Sequence, residues 1–258
     1  MDVAAYNRRA WNHQVRAGDR WTVPVDANTI AKARDGDWSV ILTPERPVPR
    51  TWFPDDMAGV RVLGLASGGG QQGPILAAAG AAVTTFDASE GQLGQDQLVA
   101  EREGLCIRTV RGDMRDLGAF EDESFDLVFH PVSNVFVEDV RPVWREAARV
   151  LRPGGELLAG FINPLYFLFD DDELDRGRFE VRYRLPYADT QQLDTAKLEA
   201  FMAQDEPLCF GHTLTDQIGG QLDAGLALVA MYEDRWGDGK ALDERIATFV
   251  ATRARKLG

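Results

Sequence analysis

The sequence has few cysteines and no long apolar runs, and each shortage excludes a class of protein. Of 258 residues only Cys106 and Cys209 are cysteines, and they lie far apart without a CxxC or Cys/His metal spacing. A disulfide-rich scaffold and a zinc site of that kind are therefore excluded. No apolar run approaches the roughly 20 residues that a membrane-spanning helix needs, so we expect no membrane partner. The N-terminus carries charges throughout, which is not typical of a signal peptide and indicates a reduced, cytoplasmic protein.

Positive charge is scarce as well. The chain has 28 basic and 41 acidic residues, which gives a net charge of −13, and only four of the basic residues are lysines. A surface that binds a nucleic-acid backbone needs clustered cations, so we expect no nucleic-acid partner. Hydrophobic residues make up 45% of the chain, which suffices for a core. The length allows one large domain with a small cap and leaves the oligomeric state open.

Strands and helices alternate from Val60 onward. The predicted strands are Val60–Leu65, Ala82–Phe86, Leu105–Val110, Phe125–Phe129, Glu156–Ile162, Leu226–Glu233 and Thr248–Ala254. The predicted helices are Gln71–Ala79, Gly91–Arg102, Asp139–Leu151 and Thr215–Asp223. This alternation indicates βαβ units and a parallel sheet, in which ligands bind at the carboxyl ends of the strands.

Two regions interrupt this alternation. Residues 1–57 show no strand pattern and only one short helical stretch, Asn7 to Arg16, although they are rich in aromatic residues. We expect them to form an N-terminal flap over the site. Residues 163–211 combine aromatic residues with an acidic run and are interpreted as a cap insertion. The α/β core then comprises residues 58–162 and 212–258.

A glycine-rich turn follows the first predicted strand. Gly68 to Gly73 match the pattern GxGxxG between a strand and a helix, and Asp87 ends the next strand. This is the fingerprint of dinucleotide binding, because glycines let the backbone approach a ligand and a carboxylate can accept from ribose hydroxyls. The pattern fits any cofactor that contains a ribose. An NAD(P)-dependent oxidoreductase therefore remains an alternative at this point.

Later motifs indicate which ribose-containing cofactor the chain binds. VLGLASGGG, TTFDAS, RGDM, FDLVFHP and RVLRPGGELL follow at close intervals between about residues 60 and 162. Together they resemble the class I S-adenosylmethionine (SAM) dependent methyltransferases. The resemblance implies a Rossmann-like α/β fold with a seven-stranded, mostly parallel sheet, helices on both faces and a reversed edge formed by the last two strands. It implies SAM as the cofactor and a small-molecule acceptor, with methyl transfer by in-line displacement that is driven mainly by proximity and orientation. A SAM-binding protein without transferase activity is a further alternative.

The resemblance also implies a set of cofactor-binding residues. These are Gly64, Ala66, Ser67, Gly68, Gly70, Gln72, Asp87, Ala88, Ser89, Asp113, Met114, His130 and, from the flap, Trp11. Asp87 would accept from the ribose hydroxyls, and Asp113 and Met114 would hold the adenine. In that family an acidic residue usually stands at the position of Gly64 and a glycine at that of Ala66. The missing acid leaves the contact to the amino end of the methionine part unassigned.

Candidate acceptor-side residues come from the strand ends, the flap and the cap. His130 is the candidate catalytic base, because a neutral imidazole can take a proton near pH 7, although a packed histidine is the alternative. The candidate substrate-binding residues are Trp21, Trp52, Gln71, Ser133, Asn134 and Tyr166. The aromatic residues expected in the roof of the pocket are Tyr166, Phe167, Phe169, Tyr183 and Tyr187.

Three further groups have competing interpretations. Gln71 and Gln72 either contact the ligands or satisfy local backbone groups. Arg20 and Arg50 are candidate partners for a carboxylate of the cofactor or acceptor. The acidic run Asp170–Glu173 is interpreted as a solvated helix start rather than a metal site, so no metal is predicted.

Overall fold

The protein is described by a computed structural model that covers residues 1–237 and 239–258. Its strands are β1 (Arg61–Leu65), β2 (Ala82–Asp87), β3 (Ile107–Arg111), β4 (Phe125–His130), β5 (Leu151–Ile162), β6 (Tyr187–Ala188), β7 (Phe210–Gly211), β8 (Leu226–Asp234) and β9 (Phe249–Lys256). Its helices are α1 (Val3–Ala17), α2 (Ala27–Arg34), α3 (Gln72–Ala78), α4 (Glu90–Glu103), α5 (Arg141–Val150), α6 (Asp171–Asp175), α7 (Asp189–Gln192), α8 (Thr195–Ala203) and α9 (Gly220–Asp223).

Seven strands form one sheet in the order β3-β2-β1-β4-β5-β9-β8. Among these described strands, β9 runs opposite to the other six, pairing antiparallel with β5 on one side and with the edge strand β8 on the other. The Rossmann-like, mostly parallel fold is thus confirmed. The reversed strand β9 lies one position in from the edge of the sheet, and β8 forms the edge itself. The strand order changes direction between β1 and β4, which makes that point the expected ligand crevice.

Most predicted elements lie within a few residues of the observed ones. β5 begins earlier than predicted, because Leu151 already pairs with Phe125 of β4 before the Pro-Gly-Gly turn. The predicted helix from Thr215 to Asp223 begins with a π-helical turn at Thr215–Gly219 and continues as α9. None of the described helices combines the length and the apolar character needed to cross a bilayer.

The two faces of the sheet are covered by different parts of the chain. On one face, α5 buries Trp144 completely in the largest hydrophobic core. On the other, the segment from Val40 to Met57 contributes Trp52 and Phe53, and the Phe53 ring stacks 6.4 Å from that of Phe129. The second half of residues 1–57 is therefore part of the core, because its aromatic rings pack on the sheet. Within the expected flap, α1 and the turn at Arg20–Thr22 lie at the carboxyl edge of the sheet.

Helix α1 joins the sheet to the insertion. It begins where Asp2 accepts a hydrogen bond from the amide of Ala5 and ends at Gly18, whose φ of 75° closes the helix. Its buried residues pack against β7 and α8 of the insertion. The helix and the insertion, here called the roof (α1 and residues 163–211), therefore form one packed layer.

Candidate functional site

A cavity of about 450 Å³ lies at the carboxyl edge of the sheet, next to the crevice between β1 and β4. Its floor comes from the loops after β1 to β4, and the roof closes it from above. Cavities of this size hold small molecules and cofactors. The predicted site residues that line it are Trp11, Trp21, Ala66, Ser67, Gly68, Gln71, Gln72, Asp87, Ala88, Ser89, Asp113, Met114, Ser133 and Tyr166.

Five predicted site residues do not line the cavity, which corrects their assignment. They are Gly64, Gly70, Trp52, His130 and Asn134. Trp52 packs against Tyr232, with 5.3 Å between the rings, because its segment lies on the sheet face. Asn134 is buried, and its Oδ1 accepts a hydrogen bond from Gln217 Nε2 at 3.0 Å.

His130 is buried beneath the cavity and cannot reach a ligand. Its imidazole is fully inaccessible, and Nδ1 lies 2.8 Å from the carbonyl oxygen of Leu65. The ring packs in a T-shaped arrangement with Trp144, with 5.7 Å between the ring centres, and Nε2 is buried without a hydrogen-bond partner among the described residues. Burial lowers the pKa of His130 to about 4, which keeps the imidazole neutral at physiological pH. The candidate catalytic base is thus a packed histidine, the alternative interpretation of the sequence.

The glycine turn is held from below by a carboxylate that the sequence interpretation missed. Gly69 and Gly70 have φ values of 116° and 73°, which disfavour a side chain. Their amides donate to Asp96 Oδ2 at 3.1 and 3.2 Å. Asp96 is completely buried, and burial raises its pKa to about 7. The sequence carried a signal, because Asp96 interrupts the apolar stripe Leu93, Val99 and Ala100 on α4.

Asp87 stands at the end of β2 and lines the cavity. Its Oδ2 accepts from the amide of Gly68 at 3.1 Å, and its Oδ1 accepts from the amide of Ser89 at 2.9 Å. Burial raises the pKa of Asp87 to about 6, although these hydrogen bonds oppose the shift. The helix-cap alternative and the ligand role are compatible, because a carboxylate oxygen can accept more than one hydrogen bond.

The two carboxylates change what the glycine turn can bind. The amides of Gly68, Gly69 and Gly70 all donate to Asp87 or Asp96. A dinucleotide pyrophosphate needs such amides free at the helix start. Here the amides are occupied and two carboxylates lie behind them, so an anion would be repelled. The GxGxxG match therefore does not indicate a phosphate site in this chain.

Ser67 occupies the place of the side chain that is absent at Gly64. A Cβ atom built on Gly64 would overlap Ser67 Oγ. The hydroxyl is buried, lines the cavity and has no hydrogen-bond partner among the described residues. Gln92 Oε1 is a second buried oxygen at the cavity without such a partner in the described chain. Buried polar atoms are normally hydrogen-bonded, and these two belong to side chains that line the cavity, so both are candidates to accept from a ligand.

Asp113 is paired with a neighbour that the sequence did not suggest. Arg115 donates from Nη2 to Asp113 Oδ2 at 2.6 Å and from Nε to Oδ1 at 3.0 Å. Burial raises the pKa of Asp113, but the hydrogen bonds from Arg115 outweigh it and leave the pKa below its usual value. Asp113 is thus held ionised at the cavity wall beside Met114.

The side chains of Gln71 and Gln72 bind local backbone groups. Gln71 Nε2 donates to the carbonyls of Arg20 and Val23 at 2.9 and 3.0 Å, and Gln72 Oε1 accepts from the amide of Ile41 at 3.0 Å. Both glutamines therefore tie the N-terminal segment to the glycine turn.

The two candidate arginines lie outside the cavity, which corrects their assignment as carboxylate partners. The Arg20 guanidinium lies 4.4 Å from the Trp21 ring centre, and that of Arg50 lies 4.5 Å from that of Trp38. Neither side chain lines the cavity. Arg50 also donates to the carbonyls of Pro54 and Asp55, so it stabilises its own segment.

Hydrogen bonds from α1 fix the roof to the rest of the site. Asn7 Nδ2 donates to the carbonyls of Phe136 and Leu208 at 2.9 and 3.0 Å, and Asn7 Oδ1 accepts from the amide of Leu208. One amide side chain thus joins the helix, the insertion and the loop after β4. Trp11 meets Phe136 edge to face at 5.0 Å and extends this contact to the cavity.

The acidic run is divided among separate partners. Asp170 accepts from Tyr183 and Lys197, Asp172 accepts from Lys197, and Glu173 pairs with arginines on its own segment. Asp171 lines the cavity. Within the described residues, no group of three or more His, Cys, Asp or Glu side chains is arranged around a common metal position.

Comparison with known proteins identifies the family. A sequence profile for the methyltransferase domain matches residues 63–159. An uncharacterised methyltransferase of Bacillus subtilis, YbaJ, is 50% identical over 255 residues, which cover 99% of each chain. The chain belongs to the class I SAM-dependent methyltransferases. SAM is therefore its cofactor, and the oxidoreductase alternative is wrong.

Other relatives resemble this methyltransferase over a smaller region. A demethylmenaquinone methyltransferase of Clavibacter sepedonicus is 38% identical over 104 residues, which cover 40% of this chain and 41% of that protein. A SAM-dependent methyltransferase structure from Mesorhizobium loti has a TM-score of 0.60 and 21% identity, and the match covers 80% of this chain and 95% of that one. A structure from Listeria monocytogenes described as a SAM-dependent methyltransferase also has a TM-score of 0.60, at 17% identity, and the match covers 81% and 96%. At these identities the two structures show the shared fold.

Proposed function

We propose that this methyltransferase transfers the methyl group of SAM to a small molecule that is held under the roof. The observation that carries the proposal is one continuous cavity that joins Asp87 and Asp113 at the strand ends to the aromatic side chains of the insertion. A cavity of about 450 Å³ with a helix over it suits a small acceptor better than a macromolecular chain.

The floor residues fit SAM at several points. The ionised carboxylate of Asp87 would accept from the ribose hydroxyls, and Asp113 with Met114 would hold the adenine ring. Ala66, Gly68, Ala88 and Ser89 supply the wall between these points. No pyrophosphate has to be bound, which agrees with the carboxylates under the glycine turn.

The two unpartnered oxygens fit the amino end of the cofactor. Ser67 Oγ and Gln92 Oε1 can each accept from an ammonium group, and both are buried at the cavity wall. Ser67 fills the space next to Gly64, where an acidic residue is usual in the family. We therefore assign the contact that the missing acid would have made to Ser67 and Gln92, which keeps this part of the floor free of a third carboxylate.

In the proposed reaction the protein mainly orients the reactants and keeps water away from them. When bound, SAM would supply an electrophilic methyl carbon, to which the acceptor bonds as the opposite carbon–sulfur bond breaks and its electron pair leaves on sulfur. Trp11, Trp21 and Ser133 line the cavity and would hold the acceptor above the loop after β4, and the roof would limit the access of water. Holding the reactants in line can supply a large part of the rate acceleration. Since His130 is buried, the mechanism uses no histidine base.

Calorimetry with SAM, S-adenosylhomocysteine and NAD tests the proposed cofactor site. We expect both sulfur compounds to bind and NAD to give no signal. A small-molecule extract incubated with the enzyme and methyl-labelled SAM then tests the acceptor. The label should enter a fraction of low molecular mass. Transfer of label only into protein or nucleic acid would contradict the proposal.

A further inference from the structure

The part of the cavity under the insertion is an aromatic box. It is lined by Tyr166, Phe167, Phe169, Tyr183, Tyr187 and Trp236. The rings support one another, with 5.3 Å between Phe167 and Tyr187, 5.3 Å between Tyr183 and Tyr187, and 6.1 Å between Tyr166 and Trp236. This set of residues is called the aromatic box below.

Each tyrosine of the box faces a carboxylate. The Tyr183 hydroxyl donates to Asp170 Oδ2 at 2.7 Å, and the Tyr187 hydroxyl donates to Asp189 Oδ1 at 2.7 Å. Burial and the neighbouring Asp171 carboxylate raise the pKa of Tyr166. The aspartates Asp170, Asp171 and Asp189 also line the cavity. An apolar chamber is thus edged with negative charge.

The cations near the box neutralise only part of that charge. Lys197 Nζ lies 3.0 Å from Asp170 and 2.8 Å from Asp172, and Lys240 Nζ lies 3.4 Å from Asp175. Among the described residues, Asp171 and Asp189 form no ion pair with any of these side chains or with an arginine. Within the described part of the chain, two carboxylates at the cavity therefore have no ion-pair partner, because the two lysines that line the same cavity, Lys197 and Lys240, pair with other aspartates.

Asp171 and Asp189 differ in whether their carboxylate oxygens are free to accept a further hydrogen bond. Both oxygens of Asp189 are used, since Oδ1 accepts from Tyr187 and Oδ2 accepts from the amide of Cys209 at 2.6 Å. Asp171 is an exposed residue at the cavity, and no described side chain forms an ion pair with it. Desolvation raises the pKa of Asp171 and of Asp189, and the charges of Lys240 and Lys197 offset this shift only in part, because both lysines form their ion pairs with other carboxylates. A positive group placed beside Asp171 would compensate it.

From this combination of rings and unpaired carboxylates we propose that the aromatic box binds an acceptor with an ammonium group on an apolar body, and that Asp171 receives the ammonium. The inference rests on the proposed function, because it assigns the acceptor class of the same cavity. Aromatic faces attract cations, and a carboxylate adds a charge-assisted hydrogen bond. An anionic acceptor would meet Asp171 and Asp189 instead, so the box selects against it.

The test uses three probes of one shape with different charge. Phenethylamine carries an ammonium, 2-phenylethanol is its neutral counterpart, and phenylacetate is an anion of similar size. Each is titrated by calorimetry into the full-length enzyme saturated with S-adenosylhomocysteine. We expect phenethylamine to bind about tenfold more tightly than 2-phenylethanol and more tightly than phenylacetate.

Two variants locate the effect. Asp171→Asn should lower the affinity for phenethylamine about tenfold, with the affinities for 2-phenylethanol and S-adenosylhomocysteine unchanged. Glu199→Gln, which removes the same charge from an exposed position of α8, should change none of the three. A separate titration with S-adenosylhomocysteine, at unchanged affinity, shows that the Asp171 variant is folded.

Several outcomes would overturn the inference while the proposed function stands. Equal or tighter binding of the alcohol or of phenylacetate, no binding of phenethylamine, or an equal loss in the Glu199 variant would each do so. Absence of S-adenosylhomocysteine binding to the unaltered enzyme would instead count against the proposed cofactor site. The two failures are therefore distinguishable.

Discussion

The floor and the roof of the cavity are held together by different interactions. The floor consists of strand ends whose backbone amides donate to buried carboxylates, as at Asp87 and Asp96. The roof is a helix and an insertion joined by aromatic contacts and by the side-chain amide of Asn7. Hydrogen bonds to carboxylates thus stabilise the floor, whereas mainly packing contacts stabilise the roof. This difference predicts that floor variants alter cofactor binding, whereas roof variants alter acceptor binding.

The largest effect is expected where the floor depends on one carboxylate. Asp96→Ala would leave the Gly70 amide without its acceptor and the Gly69 amide with only the Gln92 carbonyl, which costs about 1–3 kcal/mol of unfolding free energy. Asp96→Asn keeps an acceptor oxygen and should lose much less. Urea unfolding at pH 8 measures both variants. Equal losses in the two would show that the carboxylate charge, rather than the acceptor, supports the turn.

The effect of Asp96→Asn on stability should depend on pH, in a direction that follows from the pKa of Asp96. The pKa of Asp96 is raised to about 7 in the folded protein, so the folded state retains its proton more strongly than the unfolded state. Its contribution to stability is full below the unfolded pKa and is lost as the pH rises to about 7. The stability of Asp96→Asn relative to the unaltered enzyme should therefore improve from pH 5 to pH 8.

Asp87 should have the largest effect on the cofactor itself. Asp87→Ala removes a charged acceptor for two hydroxyls, and we expect SAM affinity to fall by about 1.5–3 kcal/mol. Because the ionised form would bind, affinity in the unaltered enzyme should also weaken as the pH falls through about 6. Asp87→Asn should remove that pH dependence. Calorimetry from pH 5 to pH 8 measures all three proteins, and unchanged affinity in Asp87→Ala would mean that the residue is only a helix cap.

Asn7 provides the corresponding test of the roof. Asn7→Ala removes three hydrogen bonds between α1, the insertion and the loop after β4, and should destabilise the docked roof by about 1–2 kcal/mol. Methyl transfer should fall more than SAM affinity does, because the acceptor side loses its cover. Arg16→Ala, an exposed change on the same helix, is the control. A loss confined to SAM affinity would mean that α1 belongs to the floor.

The fold was predictable from the sequence because its strands and glycine turns follow local patterns. Asp87 and Asp113 were found at strand ends for the same reason. Asp96 was missed because it lies within a helix, and its partners are amides some 26 residues away in the chain. Trp52 and His130 were misplaced because an aromatic or imidazole ring can pack in a core or face a cavity, and the sequence does not show which.

The smallest effect is expected at His130. His130→Asn keeps a donor for the Leu65 carbonyl and creates a small cavity beside Trp144, so stability should fall by about 1–2 kcal/mol. Methyl transfer to the acceptor fraction, measured per folded enzyme, should stay within about threefold, whereas loss of a catalytic base costs about 100-fold or more. The pH profile of transfer should also be unchanged, because the imidazole, with a pKa of about 4, is already neutral. A hundredfold loss of methyl transfer with intact SAM affinity would show that His130 takes part in catalysis. The reacting atoms would then lie deeper in the floor than the cavity indicates.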